Sequence, residues 1–342
     1  MLAYIIRRLL LLPFLLLGVT IFVFAIFSLL SPEMRASLYL TDVPKSPDAM
    51  QRIIHKYGLD QPIYIQYWQW LNQIIRGDLG WSKTAQRPVF EALLYYLPAT
   101  VELSLWAMLP VILVGIWLGI LSAVHQDKLI DHTMRVFALV GWSLPTFVFG
   151  LLMLMYFYAK LQWFPPGQIS DWVTREVING TFIRYTQMYT IDALLNGRLD
   201  VFWDSLRHLI MPVITLSYVQ WALLLRVTRS SMLETLRQEY VMTARAKGLK
   251  ESVVINKHAA RNAMIPVATM GGLLLIGLLN GVVITETIFN YPGIGRWAAD
   301  AAIRLDILSV VGFTLFNGVL LVVGNLVVDL LYAFIDPRVR LE

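Results

Sequence analysis

Residues 226–266 read RVTRSSMLETLRQEYVMTARAKGLKESVVINKHAARNAMIP, a basic stretch between two long apolar runs. Arg245 and Lys247 precede Gly248, an order that is typical of the last turn of a helix and its left-handed C-cap residue. A second, short helical pattern begins near Glu251. We call residues 239–266 the elbow. The pattern predicts a helix, a turn at Gly248 and a second short helix between two membrane spans.

The composition of the whole chain places these apolar runs in a lipid bilayer. Hydrophobic residues make up 57% of the 342 residues, charged residues make up only 15%, and the mean hydropathy is +0.62. A soluble domain is less apolar. Continuous apolar runs of about 20 residues favour membrane-spanning helices over barrel strands. We therefore predict an all-α integral membrane protein with six transmembrane helices, at residues 9–30, 99–124, 134–160, 209–225, 263–285 and 307–334.

The distribution of basic residues predicts the orientation of these spans. Half of the 28 Lys and Arg residues lie in four segments that fall on one side if the spans alternate: residues 1–8, 125–135, 226–262 and 335–342. The segments on the other side, residues 31–98, 161–208 and 286–306, hold 13 over roughly twice that length. Short cytoplasmic loops carry an excess of Lys and Arg. Both termini and the elbow are therefore predicted to be cytoplasmic, and the net charge of +5 needs no nucleic acid to explain it.

Two short amphipathic helices are predicted on the outer side, between the first two spans. Ser46 and Pro47 are typical of a helix start, and Gly58 is typical of its end. Pro62 begins a second helical pattern that ends at Gly77. We expect these helices to lie on the outer membrane face or to cap the helix bundle.

Two functions fit the elbow on its residues alone. The apolar cluster at residues 253–255 is too short to span a membrane, so it packs on protein or lies at the inner interface. A short apolar patch surrounded by charge fits a docking surface for a partner protein. A basic amphipathic helix held by anionic lipid fits equally well.

The elbow resembles the EAA loop of binding-protein-dependent ABC importer permeases. The general loop pattern begins Glu-Ala-Ala, whereas residues 242–244 here read Met-Thr-Ala, so the second Ala and Gly248 are the positions kept. Residues 243–248 (TARAKG) and 258–266 (HAARNAMIP) are similar to the dipeptide/oligopeptide branch. Seven further blocks also resemble that branch in order along the chain, whereas residues 171–204 do not: 4–10, 57–62, 76–80, 97–103, 208–216, 285–296 and 336–341.

The resemblance implies the type I importer fold and a transport subunit of a bacterial or archaeal plasma (inner) membrane. Residues 1–95 would form the N-terminal helix and outer segment, 96–335 the permease domain, and 336–342 a cytoplasmic tail. The implied partners are a second homologous permease, two cytosolic ATPase subunits and an extracytoplasmic substrate-binding protein. The elbow would carry the coupling helix that contacts an ATPase, through Thr243, Ala244, Arg245, Ala246, Lys247, Gly248, Leu249, Glu251, Val254, Asn256, Lys257 and His258.

Missing motifs favour transport over catalysis. The sequence contains no Gly-x-x-x-x-Gly-Lys-Ser/Thr phosphate loop, no His-Glu-x-x-His metal helix and no Gly-x-Ser-x-Gly nucleophile elbow. It also contains no Cys, which excludes disulfides, thiolate metal sites and a Cys nucleophile. We therefore expect no catalytic or metal site and no cofactor in this chain, with ATP and Mg²⁺ bound by the partner ATPases.

Several alternatives remain at this point. The resemblance implies a translocation path for di- or oligopeptides, formed with the second permease, and an importer of the same class that moves oligosaccharides or nickel is the alternative. An ion-coupled secondary transporter would need charged groups at mid-membrane, and the candidates are Glu102, Glu286 and Asp329. We expect all three to reach an interface by snorkelling, which favours structural or pairing roles. A membrane subunit with no transport role is the third class.

Overall fold

The computed structural model of this chain describes residues 2–38, 48–279 and 282–335. The predicted helix start at Ser46 and Pro47 and the predicted tail 336–342 lie outside the described residues. The described helices and strands, in chain order, are α1 (Leu2–Ser28), α2 (Pro32–Leu38), α3 (Asp48–Lys56), α4 (Ile63–Ile75), β1 (Trp81–Ser82), β2 (Arg87–Pro88), α5 (Val89–Val124), α6 (Leu129–Ser143), α7 (Thr146–Met153, continued by π-helical Leu154–Lys160), α8 (Asp171–Ile178), α9 (Tyr189–Leu195), α10 (Leu199–Leu236), α11 (Glu239–Ala246), α12 (Glu251–Val253, continued by π-helical Val254–Ala259), α13 (Ala260–Leu279), α14 (Val283–Ile288), α15 (Ile294–Ile303) and α16 (Ile307–Ile335).

The prediction of an all-helical membrane protein is confirmed. Among the described residues, four helical runs are long and apolar enough to cross a membrane: α5, α10, Glu251–Leu279 and Ile307–Val328. Helices α6 and α7 form a fifth candidate as a bent pair, and Pro13–Ser28 is a shorter apolar helix within α1. The total of six therefore depends on counting both the bent pair and the α1 segment as spans.

The third predicted span, residues 134–160, is wrong as a single helix. Helices α6 and α7 are bent by 97° relative to each other. Leu144 lies between them in an extended conformation, with φ −84° and ψ 117°, and Pro145 is the N-cap of α7. The proline ring disfavours helical backbone at the preceding residue, and proline has no N–H to donate to the helix. The sequence contains the cause of this break, but hydropathy alone does not reveal it.

Helices α5 and α10 form the centre of the bundle. They have 36 and 38 residues, so each is longer than about 50 Å at 1.5 Å per residue and extends beyond a hydrocarbon core of about 30 Å. Gly115 lies against Leu224 and Gly119 lies against Thr228, so the two helices run parallel and in close contact. We call their N-terminal ends the hairpin end, because β1 and β2 lie there, and their C-terminal ends the elbow end.

The hairpin end carries the short helices that the sequence predicts between the first two spans. Gly58 follows α3 with a φ of +61°, and Gly77 follows α4 with a φ of +80°, so both predicted glycine turns are confirmed. Trp70 of α4 packs on Phe24 of α1 with ring centroids 5.3 Å apart. These contacts place α4 against the membrane-spanning part of α1.

Candidate functional site

The elbow follows α10 and leads directly into a membrane-spanning helix. Gly248 has a φ of +73°, a left-handed conformation that glycine adopts without steric cost. The predicted glycine turn is therefore confirmed. After the turn, α12 continues through π-helical Val254–Ala259 into α13. Helical backbone is therefore continuous from Glu251 to Leu279.

The inner face of the elbow is apolar and packs on the ends of α5 and α10. Val241 and Ala244 of α11 share one buried cluster with Val254, with Met232 of α10 and with Ala123 of α5. Ala244 and Val254 are two of the twelve predicted coupling residues. Their side chains are buried within this chain, so they hold the elbow to the bundle and do not face a partner.

The outer face of the elbow combines positive charge with exposed apolar side chains. Met242 and Leu249 are exposed on the two sides of Gly248. His258 is partly buried. The other predicted coupling residues are exposed: Thr243, Arg245, Ala246, Lys247, Gly248, Leu249, Glu251, Asn256 and Lys257.

One ion pair joins the two helices of the elbow across Gly248. Arg245 Nη2 lies 2.7 Å from Glu251 Oε1, and Arg245 Nε donates to the same carboxylate at 3.2 Å. These hydrogen bonds from Arg245 to Glu251 raise the pKa of the guanidinium above its usual range. Both side chains are about half exposed, so solvent screens the pair and it contributes little to stability. The pair links the last turn of α11 to the first residue of α12.

Two hydrogen bonds connect α10, α11 and α13 at the elbow. The Ser231 hydroxyl of α10 donates to the Ala263 carbonyl of α13 at 2.9 Å. The Asn262 side-chain amide donates to the Tyr240 hydroxyl at 2.8 Å. The elbow is therefore one packed unit with the ends of α10 and α13.

Comparison with known proteins identifies the class of protein to which this surface belongs. Residues 115–341 match the family described as binding-protein-dependent transport system inner membrane component. Residues 1–104 match the N-terminal region described for the same membrane component. The chain belongs to this family. It is therefore a permease subunit of an ABC importer, and the predicted family, function class and non-enzymatic role are confirmed.

Relatives of known name agree over nearly the whole length of the permease. The chain is 42% identical over 324 residues to the probable D,D-dipeptide transport system permease protein DdpB of Escherichia coli. The aligned residues cover 94% of this chain and 93% of the relative. It is 40% identical over 340 residues to the dipeptide transport system permease protein DppB of Alkalihalophilus pseudofirmus, covering 99% and 100%. It is 37% identical over 342 residues to the oligopeptide transport system permease protein AppB of Bacillus subtilis, covering 99% and 100%.

The family fixes part of the biological setting. The permease is an inner membrane component with several spans, and it works with a substrate-binding protein and an ATPase. Among residues 2–38, 48–279 and 282–335, no group of three or more His, Cys, Asp or Glu side chains is arranged to hold a metal ion.

The hairpin end of the permease contains a buried carboxylate whose burial and hydrogen-bond partners the sequence did not predict. Glu102 of α5 is only 1% exposed. Its Oε1 accepts hydrogen bonds from the backbone N–H and the hydroxyl of Thr190, both at 2.7 Å. Its Oε2 accepts from the Gln168 side-chain amide at 2.8 Å and from the Tyr291 hydroxyl at 2.9 Å. Four donors from three separate segments therefore converge on one side chain of α5.

The Tyr291 hydroxyl remains a donor in this network. Burial, and then the neighbouring Glu102 carboxylate, raise the pKa of Tyr291 well above its usual range. The hydroxyl therefore keeps its proton and can donate to Glu102. Tyr291 follows α14, so this bond joins the segment between α14 and α15 to α5.

A second buried carboxylate, Glu286, joins two of the sequence blocks that resemble the permease family. Its Oε1 accepts from the Thr100 hydroxyl at 2.6 Å, and its Oε2 accepts from the Arg296 backbone N–H at 2.8 Å. Burial raises the pKa of Glu286 above its usual range, and these hydrogen bonds offset only part of that rise. A Cβ atom at Gly293 would overlap the Glu286 carboxyl group, so a larger residue there would displace this carboxyl from its hydrogen-bond partners. The blocks 97–103 and 285–296 therefore meet around this side chain.

The expectation that Glu102 and Glu286 snorkel to an interface is wrong. Both carboxylates are buried, with exposures of 1% and 0%. Their hydrogen-bond partners fold over the hairpin end and replace water, so the side chains do not need to reach it. The side chain of Asp329 lies outside the described side chains. The structural role that we expected for Glu102 and Glu286 agrees with these hydrogen bonds.

Proposed function

We propose that this permease forms the translocation path for di- or oligopeptides. The supporting observation is that relatives named as dipeptide and oligopeptide permeases share 37–42% identity with this chain over most of its length. A permease of this class does not change its substrate chemically. Energy for transport comes from ATP hydrolysis on the partner ATPases, which bind ATP and Mg²⁺.

The proposed assembly contains four kinds of subunit. This chain pairs with a second homologous permease, and the substrate passes between the two. Two cytosolic ATPases bind on the elbow side, and a substrate-binding protein docks on the hairpin side. The orientation follows the distribution of Lys and Arg, which concentrates charge in the elbow and near both termini. In this orientation the N- and C-termini are cytoplasmic.

The elbow is the proposed coupling surface for an ATPase. Its outer face presents Met242 and Leu249 beside basic side chains, and so it offers both apolar contact and charge to a partner. Its inner face is buried against α10 and is continuous with α13. Closure of the ATPases would push on the outer face. The push would then move α10 and α13 together, because the Ser231–Ala263 hydrogen bond and the apolar cluster join them.

The substrate class is tested by competition in reconstituted vesicles. The complete importer, with its binding protein and ATPases, is supplied with ATP and tritiated alanylalanine. We expect ATP-dependent accumulation that unlabelled alanine di- and oligopeptides suppress, whereas maltotriose and Ni²⁺ do not. Suppression by maltotriose or Ni²⁺, with no effect of peptides, would contradict the peptide proposal while leaving the importer class intact.

A further inference from the structure

A buried ion pair joins two membrane helices at the elbow end. Asp131 lies in the first turn of α6 and is fully buried. Arg229 of α10 donates to it through two parallel hydrogen bonds, from Nε to Oδ1 and from Nη2 to Oδ2, both at 2.7 Å. This two-bond geometry is the strongest and most directional form of an arginine–carboxylate pair.

The same carboxylate also binds the end of α5 and the turn that follows it. The Ser122 hydroxyl donates to Asp131 Oδ1 at 2.5 Å, and the Asp127 backbone N–H donates to Oδ2 at 3.0 Å. Arg135 is a more distant and more exposed neighbour, with its Nη2 at 3.7 Å. Asp131 therefore connects α5, the α5–α6 turn, α6 and α10 through one side chain.

The position of Arg229 on α10 links this junction to the elbow. Two residues further along α10, the Ser231 hydroxyl holds the Ala263 carbonyl of α13. Met232 then lies in the buried cluster with Val241 and Val254. Within one turn of α10, Arg229 therefore contacts Asp131, whereas Ser231 and Met232 contact the elbow. On the far side of Asp131, α6 runs to the 97° bend before α7.

We infer that Asp131 and Arg229 are positioning residues that transmit movement of the elbow to the bent span α6–α7. The inference rests on the proposed function, because an ATPase must push on the elbow for there to be movement to transmit. A buried ion pair adds little net stability over apolar side chains of similar size, since desolvation offsets the attraction. Its two directional bonds nevertheless fix one relative orientation of α6 and α10, whereas an apolar contact would allow sliding.

The test separates transmission from stability with a double-mutant cycle. Asp131→Asn, Arg229→Met and the double variant are each assembled into the complete importer with its ATPases and binding protein. Each single variant should lower the apparent Tm, because it leaves one buried polar partner without its counterpart. The double variant should regain part of that Tm, because neither charge is then left buried without its counterion. In all three variants, stimulation of ATPase activity by binding protein loaded with alanylalanine should fall about fivefold or more.

Arg135→Gln is the matched control. It removes a cation that also lies near Asp131 but is more distant and about half exposed, and it should leave both Tm and stimulation unchanged. Recovery of stimulation together with Tm in the double variant would overturn the inference and leave the pair a structural role. Wild-type stimulation in the single variants would overturn it too. A wild-type complex that binds no ATPase would instead refute the proposed function, and the inference with it.

Discussion

Replacement of Gly248 by Val should reduce ATP-dependent uptake about fivefold or more while the importer still assembles. A Cβ atom at Gly248 would meet no atom within 4 Å, so the space around the backbone is open. The φ of +73° is the obstacle, because a left-handed backbone costs an L residue about 1–2 kcal/mol and a β-branched residue more. This cost is small beside the 5–15 kcal/mol that stabilises a typical domain. The turn should therefore relax and re-aim the outer face of the elbow without unfolding the protein.

Two further variants isolate the position from the backbone strain. Gly180 has the same φ of +73° and equally open surroundings, but it lies after α8 at the hairpin end. Gly180→Val should therefore keep ATPase co-purification and ATP-coupled uptake. Gly248→Asn should retain most of the uptake, since Asn tolerates left-handed backbone. Equal uptake in Gly248→Val and wild type would show that the elbow turn does not participate in coupling.

Replacement of Glu102 by Met should prevent accumulation of folded permease or lower its apparent Tm strongly. Methionine has a similar volume but removes the acceptor from four buried donors. Each buried donor left without a partner costs about 1–3 kcal/mol, so the total is several kcal/mol. The apparent Tm of Glu102→Gln should fall between those of the wild type and Glu102→Met, because the glutamine carbonyl oxygen still accepts from Thr190. The measurement is the apparent Tm of the purified protein in detergent.

Glu91→Met is the matched control for this series. Glu91 lies on the same helix, α5, but its side chain is exposed. Its replacement should change the apparent Tm little, as surface substitutions usually do. If Glu102→Met unfolded at the same temperature as Glu91→Met, the four hydrogen bonds could not be a principal attachment of the hairpin end.

Local sequence patterns predicted the elbow well because the causes of its shape are local. Arg245, Lys247 and Gly248 lie within four consecutive residues, and capping depends on neighbours along the chain. The spans were predictable for a similar reason, since hydropathy over about 20 residues reflects lipid contact. Predicting the break at Pro145 required the conformation of Leu144. That conformation depends on how α6 and α7 pack as well as on the proline.

The buried carboxylates could not be predicted from the sequence because their partners are distant in the chain. Thr190 and Tyr291 lie 88 and 189 residues from Glu102. Snorkelling was the reasonable expectation for an isolated acidic residue near the end of a span, and only the folded outer segments reveal another source of hydrogen bonds. Likewise, the elbow sequence does not distinguish the buried Ala244 from the exposed Ala246, because that distinction depends on the packing of α11 against α10.

The central claim is that the outer face of the elbow contacts an ATPase, and site-directed cross-linking tests it most directly. The natural chain contains no Cys, so Leu249→Cys introduces a single reactive thiol at an exposed position of the elbow. Modified with a short photo-activatable maleimide in the assembled importer, L249C should cross-link to an ATPase subunit. Lys83→Cys, exposed at the hairpin end, should not. An ATPase cross-link from K83C and none from L249C would contradict the claim.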